Sequence, residues 1–162
     1  MTGLLLREIK QTKPFASPEL EAFLNLVRSA DLVHREATAI LKTRGLSQTT
    51  YNVLRILRGA GQAGLSCSEL GSRLVTFDPD ITRLLDRLEA HGLVTRHRDD
   101  TDRRVVVVRA TSAGLALASD SSLDQQLLDC HRRQFSSFSA EQLTLLINLL
   151  ERLRQPIPPS QE

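Results

Sequence analysis

The sequence predicts a mainly helical chain carrying one small β-hairpin, and three observations lead there. Apolar residues recur at helical spacing over most of the length. Ser, Thr or Asp marks one helix start after another. A single stretch, Leu93 to Ala110, switches to the β-rich runs of a hairpin. At 162 residues, 41% of them apolar and 25% charged, the chain has the size of one globular domain that buries a core without disulfides or metal. A peptide hormone, a coat fibre and a disordered tail are excluded.

The first sixteen residues are short of pattern. Ser17-Pro18-Glu19 then starts a helix: Ser caps, Pro takes the first helical position and Glu faces the positive dipole end. Leu20, Phe23, Leu24, Val27, Ala30, Val33, Ala37, Ile40 and Leu41 continue it as one apolar stripe over about seven turns, and Gly45 ends it. So long a helix is hard to hide inside a small domain, so part of the stripe is expected to meet a partner chain. Ser47 begins a second helix, with Leu46 and Tyr51 as hydrophobic staple and Gly59 to Gly64 as the stop. Ser66-Cys67-Ser68-Glu69 fits a capping box with Leu65 and Leu70 as staple, opening a short helix that ends near Leu74.

Asp78-Pro79 is read as the start of the fourth helix, with Ile81, Leu84, Leu85 and Leu88 on one face and Gly92 as its left-handed terminus. Leu93 to Arg98 and Arg104 to Ala110 are the strands of the hairpin, separated by the charged turn Asp99-Asp100-Thr101-Asp102-Arg103. Thr111 caps a long helix expected to run to about Arg133. Ser139-Ala140-Glu141-Gln142 is another capping box, stapled by Phe138 and Leu143, and its helix runs to about Leu153. Pro156, Pro158 and Pro159 are expected to end ordered structure. The order is four helices, a hairpin and two helices.

Several function classes are excluded or left without support. Net charge is only +2, with 21 Lys plus Arg against 19 Asp plus Glu, so overall charge announces neither nucleic acid nor an acidic membrane. Arg outnumbers Lys by 18 to 3, which suits bidentate contacts to phosphate or carboxylate. Cys67 and Cys130 are too few and too far apart for a disulfide framework or a CxxC metal site, and a reducing compartment is the default. Met1 to Pro14 lacks the roughly 7 to 15 apolar residues of a signal peptide, and no segment approaches the roughly 18 of a membrane span. A soluble, cytoplasmic protein is expected. His34, His91, His97 and His131 offer no i, i+4 ligand pair, so no metal site and no cofactor are expected. No nucleophile elbow, glycine-rich phosphate loop or paired catalytic acids point to an enzyme.

Two short helices with a tight connection, followed directly by a two-stranded ribbon with a charged tip, make a shape suited to duplex DNA. The second helix has the width of the major groove, and the hairpin can reach the neighbouring minor groove. The residues of this region also carry a resemblance. Leu84 to Gly114, LLDRLEAHGLVTRHRDDTDRRVVVVRATSAG, with CSELGSRL before it, resembles the multiple-antibiotic-resistance regulator family, MarR, over about residues 17 to 154. Its TRLVDRLE-type recognition helix stands here as Thr82 to Glu89, its GLV-R strand as Gly92 to Arg96, its D-x-R wing as Asp102 to Arg104 and its closing T-x-x-G as Thr111 to Gly114. The resemblance implies a homodimeric winged helix-turn-helix transcription regulator. The divisions are an N-terminal tail at 1–16, dimerisation helices at 17–46 and 111–154, a DNA-binding lobe at 47–110 and a C-terminal tail at 155–162. Members are usually repressors of a pseudo-palindromic operator, released by a small aromatic or phenolic anion in the cleft between the dimer helices and the lobe. His34, Arg35 and Tyr51 fall near that cleft, and each can equally be surface or core.

The candidate DNA contacts carry two readings each. Arg98, Arg103 and Arg104 can enter a minor groove or touch phosphates, or Arg104 can pair with Asp102 in a solvated turn; Asp102 has an orienting role in either case. Thr82 and Arg83 point away from the apolar face, toward a groove or toward plain solvent, with Arg83 suited to guanine or phosphate. Arg87, one turn on, can contact DNA or pair with Asp86 or the neighbours of Glu89. Asp78 and Asp80 depart from the family's usual Ser, Thr or Arg. Asp78 as N-cap with Asp80 on the dipole explains both without DNA; alternatively Asp80 accepts from a cytosine amino group and filters sequence. Ser66 and Ser68 at the start of the first short helix can hold a phosphate, with Ser66 occupied as cap and Ser68 freer. Cys67 or Cys130 can sense oxidants or merely pack. The competing class is a winged-helix interaction module that no longer reads DNA.

Overall fold

The computed structural model describes residues 3–99 and 102–155. Asp100 and Thr101 of the charged turn and the three terminal prolines lie outside these. The fold is mainly helical, as expected, and the hairpin belongs to a three-stranded antiparallel sheet.

Within the patternless first sixteen residues, α1 (Leu4–Glu8) buries Leu5, and Glu8 pairs with Arg28 at 3.4 Å. Helix α2 (Pro18–Lys42) starts where Ser17 accepts the Leu20 N–H, and its 25 residues span roughly 37 Å. Only Ala37 and Leu41, near its C-terminal end, are buried. Phe23, Leu26, Val27 and Leu32 stay exposed.

Helix α3 (Gln48–Ala60), capped by Ser47, supplies the centre of the core with Val53, Leu54 and Leu57. A single 3₁₀ turn at Gly61–Ala63 leads to β1 (Leu65–Ser66). The connecting Gly64 has φ +69°, and a Cβ there would lie 2.5 Å from the Val108 carbonyl oxygen, so β1 can approach its neighbour only through glycine. Helix α4 (Cys67–Ser72) carries the complete Ser66–Glu69 capping box, and Leu70 is buried. Helix α5 (Ile81–Ala90) buries Leu84, Leu85 and Leu88, each contributing about 1.5–3 kcal/mol of transfer free energy. Strands β2 (Val94–Arg98) and β3 (Val106–Ala110) pair from Val94↔Ala110 to Arg98↔Val106, and β1 joins the other edge of β3 through Leu65↔Val108.

Two expectations are corrected here. The fourth helix is capped by Asp80, whose carboxylate accepts the Arg83 N–H, while Asp78 accepts the Asp80 N–H one step earlier. Asp78 is therefore a loop brace two residues before the cap, and Pro79 lies outside the helix rather than at its first position. The long helix after Thr111 breaks at Ser119-Asp120 into α6 (Ser112–Ala118) and α7 (Ser121–Gln134). Asp120 makes the break: it accepts from the Ser122 and Leu123 N–H groups as a new cap and pairs with Arg44 at 2.9 Å. Helix α8 (Ala140–Leu153) opens on the expected Ser139–Gln142 capping box and buries none of its residues. The core runs from α3, α4, α5 and the sheet into Leu41 of α2 and Leu123 and Leu127 of α7.

Candidate nucleic-acid interface

With three leucines turned inward, α5 presents Thr82, Arg83, Asp86 and Arg87 to solvent. The acids near this face are already committed. Arg96 on β2 grips Glu89 with Nε and Nη2 at 2.9 and 2.7 Å, reaches Asp86 at 2.6 Å, and its backbone N–H donates to Glu89 at 3.0 Å. The Arg96 bonds hold the Glu89 carboxyl below its ordinary range, and Glu89 with Asp86 raises the guanidinium's own value. Arg96 thus takes Asp86, one of the partners weighed for Arg87, and Glu89 as well. Among the described residues, neither Arg83 nor Arg87 forms an ion pair. One turn apart, they leave two adjacent positive charges on one exposed face.

The wing is braced by its acids. The Asp102 N–H donates to the Asp99 carboxylate at 3.0 Å, Asp102 accepts the Arg104 N–H at 3.0 Å, and Val105 N–H returns to the Asp102 carbonyl at 2.9 Å. Asp102 therefore orients the Arg104 backbone and not its guanidinium, so the side-chain pair weighed from the sequence does not form. Arg98, Arg103 and Arg104 are exposed and without an ion-pair partner among the described residues. At the head of α4 the Ser66 hydroxyl is engaged with Glu69 as both donor and acceptor, whereas the exposed Ser68 hydroxyl has no hydrogen bond to a described residue. The Ser66 bonds also hold the Glu69 carboxyl below its ordinary range.

Behind this surface lies a cavity of about 330 Å³ between α2, α3, α7 and the α4–α5 connection. Leu41 and Leu127 form part of its apolar wall; His34, Gln48, Tyr51, Asn52, Arg55 and His131 line it with polar groups. Tyr51 donates to Asp124, and Arg55 donates to both Asp124 at 2.9 Å and the Tyr51 oxygen at 3.2 Å. Burial, reinforced by the Asp124 carboxylate, pushes the Tyr51 phenol above its ordinary value. Of the three cleft residues read from the sequence, His34 and Tyr51 line the cavity, and Arg35 instead pairs with Asp31 at 2.6 Å on the surface. Sequence reasoning missed Gln48, Asn52, Arg55 and His131; the one-turn spacing of Gln48, Asn52 and Arg55 along α3 was the available signal. No group of three or more His, Cys, Asp or Glu converges as a metal site among the described residues. No helix of these residues is long and apolar enough to cross a membrane.

Three comparisons bear on this arrangement. The profile of the MarR family matches residues 46–106, from the start of α3 into β3. The homoprotocatechuate degradative operon repressor of Escherichia coli is 30% identical over 112 residues, which cover 69% of this chain and 73% of the repressor. A MarR transcription factor of Planctomyces limnophilus has a crystal structure that superposes with a TM-score of 0.63 at 40% identity, covering 85% of this chain and 98% of the other. A mutant MarR of E. coli, complexed with operator DNA, shares the fold with a TM-score of 0.72 at 24% identity, over 94% of this chain and all of that one.

Proposed function

The chain belongs to the MarR family of transcriptional regulators, and from that premise we propose that it is a homodimeric, ligand-responsive repressor of a pseudo-palindromic operator. The observation that carries the reading is the sorting of charge on the lobe. Arg96 consumes the acids of α5, and Arg83, Arg87, Arg98, Arg103 and Arg104 are left exposed on the recognition helix and the wing. Arg83 and Thr82 read base edges in the major groove, Arg87 and the wing arginines hold phosphates, and Asp102 presents Arg104. Ser68 is the better phosphate donor of its pair, because Ser66 is spent on the cap. Asp80, its carboxylate on the Arg83 N–H, keeps a second oxygen for a cytosine amino group.

The dimer reading rests on apolar side chains left exposed at both chain ends: Phe23, Val27 and Leu32 on α2, and Leu145, Ile147, Leu149 and Leu153 on α8, a helix that buries nothing within its own protomer. The cavity is the effector site, sized for a single aromatic ring and suited to a small phenolic or aromatic anion by its histidines and arginine. Such a ligand changes DNA affinity only by preferring one spacing of the two recognition helices. The protein acts in the cytoplasm by binding and not by catalysis.

The test is an electrophoretic shift on the DNA flanking its own gene at two salt concentrations. A sequence-specific shift that weakens with salt is expected. A chain that fails to shift that DNA at low salt would be an interaction module, a reading that net charge and the acids at the recognition helix alone would support.

A further inference from the structure

The connection between α4 and α5 carries the most exposed large apolar side chains of the described residues, Val75 at 83% and Phe77 at 89%. Burial does not explain Phe77. Val75 and Thr76 line the cavity, and Phe77 lies outside that lining. Its backbone is nonetheless fixed on both sides: the Val75 N–H donates to Asn52 on α3 at 3.0 Å, Asp78 accepts the Asp80 N–H at 2.9 Å, and Asp80 accepts the Arg83 N–H at 3.0 Å. A loop tied on both sides of Phe77 thus presents one bare aromatic ring at the entry to the recognition helix, the end that meets base edges in helix-turn-helix docking.

The charges flanking the ring choose its partner. Asp78 and Asp80 repel phosphate, so this loop cannot take its affinity from the DNA backbone; Arg87 and the wing arginines do that. What the floor of the major groove offers an aromatic ring is the 5-methyl group of thymine. We propose that Phe77 is a specificity-determining residue that packs on a thymine methyl in each half-site, with the flanking aspartates excluding the backbone. This rests on the DNA-binding reading above and adds to it one base preference.

The experiment replaces thymine by deoxyuridine, which removes the methyl and leaves every pairing and hydrogen-bonding group. A half-site is first obtained by selection of bound sequences with the full-length protein. Each thymine is then replaced symmetrically in both half-sites, and affinity is followed by fluorescence anisotropy. One position is expected to weaken wild-type binding about fourfold per half-site, the size of one buried methylene, and so about sixteenfold in the dimer. Phe77→Ala is expected to bind the thymine operator about as weakly as wild type binds the uracil one, to be indifferent to that replacement, and to keep the wild-type melting temperature, since the ring packs on nothing. Phe77→Leu restores part of the methyl preference. Wild-type indifference to uracil at every thymine, a selected half-site without thymine, or a Phe77→Ala protein that keeps the full uracil penalty overturns the proposal while leaving operator binding intact. A wild-type protein that selects no sequence sinks the DNA-binding reading and Phe77 with it.

Discussion

Replacing Arg104 by Ala tests the wing through the salt dependence of operator binding. Each phosphate neutralised by an arginine releases about 0.9 of a counterion, and in a homodimer every substitution acts twice. The slope of log affinity against log salt should therefore become shallower by about 1.8. Between 50 and 200 mM salt, wild type should lose about twelvefold more affinity than the variant. The guanidinium of Arg104 has no ion-pair partner among the described residues, and Asp102 holds the backbone N–H, so the substitution removes the charge without unmaking the turn. Arg35→Ala is the control: that arginine sits on α2, paired with Asp31, and its loss should leave the slope alone. The assay is anisotropy on a labelled operator across four or five salt concentrations. An Arg104→Ala slope equal to those of wild type and Arg35→Ala would refute the reasoning, because affinity would then owe nothing to charge at the wing.

Two glycine replacements should move stability in opposite directions. A Cβ at Gly114 would stand 2.1 Å from the Leu93 carbonyl oxygen, a backbone atom with no rotamer to yield, so Gly114→Ala should cost about 3 kcal/mol and lower the melting temperature by roughly 6–12 °C. Gly59→Ala, on the exposed face of α3 with nothing within 4 Å, should gain about 0.5–1 kcal/mol; equal melting temperatures for the two would contradict the close approach. Because Arg96 lowers the Glu89 carboxyl, its contribution is present above the unfolded value near 4.5 and is lost as pH falls through the folded value. Urea melts should therefore separate wild type from Glu89→Gln at pH 7 and bring them together in acid below the folded value, and a gap that survives there would remove Arg96 as the cause. Burial raises the Cys130 thiol and encloses its sulfur, whereas Cys67 is half-buried, so iodoacetamide at pH 8 should label Cys67 well before Cys130, as read by peptide mass.

Local rules were legible wherever a residue acts on its own turn. Ser17, Ser47, Ser66, Thr111 and Ser139 all cap as their sequence neighbours imply, and the α5 leucines face inward as their spacing requires. The errors fall where two local signals compete. Asp78 and Asp80 are both competent caps, and the outcome turns on which hydrogen bonds the loop can complete. At Asp120 the expected helix continuation competes with a local cap, since Asp120 accepts from the Ser122 and Leu123 N–H groups, and Arg44, 76 residues away, adds a further bond that spacing along the chain does not show. Strand β1 is two residues long and exists because Gly64 lets it approach β3. The wing and the recognition helix were legible because their residues are contiguous. The cavity was only half legible, because four separate segments build it and spacing along one helix says nothing of the others.

The position of that cavity limits how the proposed switch works. Its wall joins α2 and α7, the frame, to α3 and the α4–α5 connection, which belong to the reading lobe. The same joint is crossed by polar ties: Arg55 to Asp124, and Arg58 to the Ala118 carbonyl. Moving an equilibrium from 1:99 to 99:1 takes about 5.5 kcal/mol of differential binding. Two cavities related by the dimer axis halve the differential each must supply, to about 2.7 kcal/mol, so the proposed release from DNA is easiest with both protomers filled.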